Sequence, residues 1–109
     1  MEVQVINMYK VIPKENYYKS HASGTTYNLY CGRGGDSFLG NPFKTNAIEQ
    51  HKEFFLKNQE RQDKLLDLCK VKKLEGFTAL NLTCFCKPKI CHCDVIKEWL
   101  EEVLIEKSN

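Results

Sequence analysis

Phe77-Thr78-Ala79-Leu80-Asn81-Leu82-Thr83-Cys84 runs directly into Phe85-Cys86-Lys87-Pro88-Lys89-Ile90-Cys91-His92-Cys93-Asp94-Val95-Ile96, and this stretch decides how the chain is read. Its first part is rich in β-forming and apolar residues and reads as a strand. The cysteine-rich part that follows reads as a loop. From about Cys91 or His92 to Glu106, the residues Val95, Ile96, Trp99, Leu100 and Val103 recur at helical spacing, so the last part reads as an amphipathic helix. Strand, loop and helix in that order form the building unit of an α/β fold.

Upstream the pattern repeats. Thr25 to Cys31 reads as a strand, and it enters the segment Gly32 to Phe43, where four glycines in twelve residues make a shaped loop. A helix is expected from Thr45 or Asn46, either of which can cap it, with Ile48, His51, Phe55 and Leu56 on one face. A second helical stretch carries Leu65, Leu66, Leu68, Cys69 and Leu74 and stops near Gly76. At the start, Val3 to Met8 reads as a strand, and residues 13–24, with Pro13, Asn16, Ser20, Ser23 and Gly24, read as a loop. The order predicts a small α/β sandwich, Rossmann-like, with helices flanking a short, mainly parallel sheet over one domain, 1–109. Ligands in such folds sit beyond the carboxyl ends of strands. Both unusual loops, 32–43 and 84–94, occupy that position.

Composition narrows the function classes. The chain has 109 residues, 42% hydrophobic and 28% charged, with 16 basic and 14 acidic side chains giving a net charge of +2. That is ordinary for a folded protein and too balanced to signal nucleic acid. No apolar run approaches the roughly 20 residues of a membrane span, and no secretory signal opens the sequence. The six cysteines, Cys31, Cys69, Cys84, Cys86, Cys91 and Cys93, are therefore expected to be reduced thiols of a cytoplasmic protein.

The first loop offers Arg33, Ser37 and Asn41 on a glycine-rich backbone beginning at Gly32, which suits a phosphate even though no standard phosphate motif is spelled out. A plain structural turn is the alternative. The second loop has two functional readings. Cys84, Cys86, Cys91 and either His92 or Cys93 are the right ligand types for zinc, though the C-x-C-x-x-x-x-C-H-C spacing matches no usual finger. Alternatively Cys91, His92 and Asp94, at a helix start, contact an anion or a nucleotide edge. In the purely structural reading, the cysteines are small core residues and Asp94 is a cap. His21 is placed on a loop and His51 on a helix, neither with an assigned role. Trp99 is assigned to the buried face of the last helix. Tyr17 and Tyr18 lie in a loop where stacking on a base is an option beside ordinary packing.

The two loops together resemble a known family. Gly32-Arg33 followed by Ser37-Phe38-Leu39-Gly40-Asn41-Pro42-Phe43 is similar to its G-R…S-x-L-G-N-P-F signature. Cys84 to Ile96 is similar to its C-x-C-x-P-x-x-C-H-G-D-V-[IL] signature, with Cys93 where the family usually has glycine. The family is a small domain of unknown function of bacteriophages and bacteria. The resemblance implies an α/β fold and a phage context without implying a reaction.

These readings combine into one expectation: a nucleotide- or nucleoside-derivative-binding protein, a homo-oligomer, that sequesters a host nucleotide immune signal for a phage. The ligand residues would be Gly32, Arg33, Ser37, Asn41, Cys91, His92 and Asp94. A binder of this kind needs a preformed pocket and no catalytic residue. A zinc-stabilised interaction module, with Cys84, Cys86, Cys91 and His92 as ligands, is the alternative. A nucleotide-processing enzyme resembling N-glycosidases or deoxyribosyltransferases is the third, by fold analogy.

Overall fold

Period-two alternation of apolar residues sets the sheet. In a computed structural model that describes residues 1–32, 37–39, 48–84 and 92–108, the elements follow as β1 (Glu2–Asn7), α1 (Met8–Val11), a 3-10 turn (Lys14–Asn16), β2 (His21–Ser23), β3 (Thr26–Tyr30), α2 (Ile48–Leu56), α3 (Gln59–Leu74), β4 (Ala79–Cys84) and α4 (His92–Ser108). The strand order is β1-β4-β3-β2, with β1, β4 and β3 parallel and β2 antiparallel to β3. Val3, Leu80 and Tyr27 stand in one row across the sheet, and Val5, Leu82 and Leu29 in the next. These rows form one apolar face.

The three long helices pack on that face. Phe55 of α2, Leu65 and Cys69 of α3, and Ile96 and Leu100 of α4 join Val3, Leu29, Leu80 and Leu82 in one buried core. The indole of Trp99 meets the Phe55 ring edge-on at 5.2 Å, so Trp99 serves the helix–helix contact as its spacing predicted. The mixed α/β architecture with a mainly parallel sheet is the expected one. β3 and β4 are parallel neighbours, which demands a long crossover, and α2 and α3 lie within it.

The other face of the sheet is polar. Gln4, Asn81, Asn28 and His21 lie side by side across all four strands. Asn81 Nδ2 donates to Asn28 Oδ1 at 3.0 Å, and Asn28 Nδ2 reaches His21 Nε2 at 3.3 Å. The Lys19 carbonyl lies 3.4 Å from His21 Nδ1. Donors and acceptors match only if His21 is neutral with its proton on Nδ1. Toward the carboxyl ends of the strands this face is closed by α1 and the 3-10 turn. There Met8, Ile12 and Tyr30 are buried, with Ile6 and Tyr17 against them.

Several expectations are corrected. Residues 13–24, read as a loop, contain the 3-10 turn and β2. β2 is only three residues long and His21 belongs to it, so its pattern was too short to register as a strand. The first strand ends before Met8, because the Asn7 side chain accepts from Tyr9 N at 2.9 Å and starts α1. Leu56 and Leu74, assigned to apolar stripes, are exposed at 48% and 81%. Each is the last residue of its helix, where the chain turns away from the core. α2 stops there because Gln62 Nε2 donates to the Phe55 and Leu56 carbonyls at 2.8 and 3.0 Å, satisfying the helix end. α3 stops in a paired bond motif, Phe77 N to Lys72 O at 3.0 Å and Gly76 N to Lys73 O at 3.1 Å, which puts Gly76 at φ +101°. The expected helix start at Thr45 or Asn46 lies outside the described residues. Among the described residues no helix is long and apolar enough to cross a membrane.

Leu82→Ala should lower unfolding free energy by about 2–5 kcal/mol, because it empties a fully buried site. Leu74→Ala should change it by less than about 0.5 kcal/mol. Urea titration of the two variants checks this, and equal losses would mean that α3 buries a different face.

Candidate functional site

The carboxyl ends of β3 and β4 are held together one residue beyond β3. Cys31 N donates to Thr83 O at 3.1 Å, and Thr83 Oγ1 donates back to Leu29 O at 3.3 Å. Cys31 is fully buried, and its thiol donates to Leu29 O at 3.4 Å. Gly32 follows, also buried. A Cβ at this position would run into the hydroxyl and ring of Tyr30, so only glycine lets the backbone pass that close.

α4 starts on the other side of the same edge. His92 is its first residue and is buried, and its Nε2 donates to the Cys31 carbonyl. That bond joins the end of β3 to the start of α4 and requires the proton to sit on Nε2. Asp94 lies in the first turn of α4, where a carboxylate suits the positive end of the helix dipole. Cys93 points into the core, with its sulfur 3.9 Å from His92 Nε2.

His51 on α2 completes the arrangement. Its ring is fully buried, 5.0 Å from the His92 ring at 61° and 6.2 Å from Phe55 in a stacked geometry. Neither ring nitrogen has a hydrogen-bond partner among the described residues. Burial pulls its pKa down to about 4, and the nearby His92 and then Arg61 push the same way. His51 is therefore a neutral imidazole that offers one N–H and one lone pair. Arg61, in the first turn of α3, lies over the Phe54 ring at 4.9 Å, and burial lowers its pKa too. Arg61 also lines a cleft of about 250 Å³ with Phe38, Asn58, Glu60 and Lys64.

Four expected ligand residues are placed. Gly32 and His92 meet through Cys31, and Asp94 lies in the same first turn of α4 as His92. Ser37 is spent on its own turn: its hydroxyl accepts from Leu39 N at 3.1 Å and seats the fully buried Leu39 side chain. Arg33, Asn41 and Cys91 lie outside the described residues. So do Cys86 and Cys91 of the expected zinc set, which leaves Cys84, buried in the core, and His92. Among the described residues no three His, Cys, Asp or Glu side chains are grouped to hold a metal ion. Cys31 and Cys69 are free thiols, both buried.

Sequence reading missed His51 and Arg61. The signal for His51 was present, because it shares an apolar stripe with Phe55 yet carries two polar atoms. Arg61 had none, since a charged residue in a first helical turn looks like any solvated one.

A family profile described as a domain of unknown function (DUF4326) matches residues 15–102. No curated protein and no solved structure matches the chain.

The depressed pKa of His51 makes stability depend on pH. Between about pH 6.5 and 4 the unfolded imidazole binds a proton that the folded one refuses, so stability is complete above that window and lost as pH falls through it, by up to about 3 kcal/mol. His51→Leu should flatten this slope and leave stability near neutral pH unchanged or higher, because it removes a buried group whose nitrogens have no partner among the described residues. Urea titrations at both ends of the window measure it, and a slope that survives the substitution would assign the effect elsewhere.

Proposed function

The chain belongs to the DUF4326 family, and from that premise we propose that it binds a nucleotide or nucleoside derivative at the carboxyl edge of its parallel strands. The observation that carries this reading is the buried ring of His51, whose nitrogens have no hydrogen-bond partner among the described residues, beside His92. An imidazole left unsatisfied in the interior costs stability, and a ligand's base edge or sugar hydroxyl would supply the missing partner. The place agrees, since α/β sheets take ligands where strands run into helices. The start of α4 favours an anionic group there, and Arg33 and Asn41 supply further polar contacts from the first loop.

The biological form of this reading is a cytoplasmic phage protein, assembled as a homo-oligomer, that withholds a host nucleotide signal from defence effectors. Sequestration asks for a preformed pocket and returns its ligand unchanged, which separates it from a nucleotide-processing enzyme.

Native mass spectrometry of the protein, purified from cells making nucleotide immune signals, tests the proposal. The expected spectrum carries a nucleotide-sized increment, and the released compound is chemically intact. Arg33→Ala and His51→Leu should each abolish retention while the fold persists. Retention undiminished in both variants would overturn the assignment. A zinc-sized increment with no organic ligand would replace it with the metal-stabilised module. A released compound cut at its glycosidic bond would replace it with an enzyme.

A further inference from the structure

Four tyrosines gather at the carboxyl end of the sheet, on the face away from the long helices. Tyr9 belongs to α1, Tyr17 and Tyr18 follow the 3-10 turn, and Tyr30 ends β3. Their rings pack edge to face: Tyr9 on Tyr17 at 5.0 Å, Tyr9 on Tyr18 at 6.4 Å, Tyr17 on Tyr18 at 6.2 Å and Tyr18 on Tyr30 at 5.7 Å. The hydroxyls of Tyr9 and Tyr18 are hydrogen-bonded to each other.

Core packing explains Tyr30, which is 1% exposed, but not the outer two rings. Tyr9 and Tyr18 remain 47% and 44% exposed. Tyr18 also has φ +61°, the left-handed region that a bulky side chain rarely occupies. The backbone is thus strained at the residue whose ring stands half in solvent, and such strain concentrates at ligand-contact positions. Lys10, Lys14 and Lys19, all exposed, flank these tyrosines along the chain. The bond to Tyr18 raises the Tyr9 phenol to about 12, which keeps that ring uncharged beside an anion.

The cluster is continuous with the histidine pair. Tyr18 touches Tyr30, the Tyr30 hydroxyl covers Gly32, and the carbonyl of the preceding Cys31 holds His92, which meets His51. We propose that Tyr18 and Tyr9 form the base-stacking wall of the nucleotide site. The inference rests on the nucleotide-binding reading above. It adds the residues that recognise the base. The two rings stand at 81° to each other, so a flat base stacks on the half-exposed Tyr18 ring while Tyr9 closes its edge, and such stacking is sequence-tolerant.

The test uses adenosine 5′-monophosphate and ribose 5-phosphate as probes, titrated into the full chain and followed by NMR. Tyr18→Gly is the variant, because glycine keeps the left-handed backbone and removes only the ring. Adenosine 5′-monophosphate should shift the Tyr9 and Tyr18 ring protons and bind about tenfold more weakly, or worse, to Tyr18→Gly. Ribose 5-phosphate should bind the unaltered chain more weakly than the nucleotide does, and should not distinguish it from the variant. Equal nucleotide affinity in the variant and the unaltered chain would overturn the wall while leaving the nucleotide reading in place. Failure of both probes to bind the unaltered chain would overturn the nucleotide reading itself, and the wall with it.

Discussion

One hydrogen bond organises the carboxyl edge of this protein: His92 Nε2 to the Cys31 carbonyl, between residues 61 positions apart. It fixes where α4 begins relative to the end of β3. It also sets the tautomer of His92, since a carbonyl can only accept. With His92 so held, its ring becomes the surface on which His51 packs, and α2 is brought against α4 through Phe55 and Trp99. Removing that bond would take the donor from a buried carbonyl, which costs more than the bond's own net contribution.

Against this ordered contact stands His51, a fully buried imidazole on α2. Its ring packs well, stacked on Phe55, yet its nitrogens meet no partner among the described residues. An apolar residue of similar volume would fill the same space without that cost. Local rules of packing and polar satisfaction usually agree across a natural protein, and the places where they conflict are commonly functional. The exposed, left-handed Tyr18 is a second such conflict, this time of backbone preference. Both conflicts lie at the carboxyl edge, within a few side chains of Gly32.

The sequence made the core legible because its rules are local. Alternation in β1, β3 and β4 and the helical stripe of α4 could be read directly, and Gly76 marked the end of α3. What escaped depended on length or on distant partners. β2 has three residues and is defined mainly by its register against β3. Leu56 and Leu74 fit their stripes by spacing, but the helices end on them, a fact set by Gln62 for α2 and by the turn at Gly76 for α3. Of the expected ligand residues, Gly32, His92 and Asp94 could be placed from sequence because they sit at strand and helix ends. Ser37 was found for a ligand role, yet its hydroxyl holds the Leu39 turn. His51 was passed over because burial and an unmet partner are properties of the folded state.

The sheet gives its carboxyl edge two unlike sides. The alternating pleat sends Leu29 and Cys31 toward the helices and Tyr30 toward the opposite face. The histidine pair therefore belongs to one layer and the tyrosine cluster to the other. Above the last residues of β3 the two layers are separated by little more than the strand itself. Gly32 is where they come closest, for it has no side chain to stand between the Tyr30 ring and the backbone. The proposed nucleoside ligand divides the same way, with hydrogen-bonding edges for the imidazoles and a flat ring for the tyrosines. The start of α4 at the same edge would add the preference for negative charge that the proposed ligand's phosphate requires.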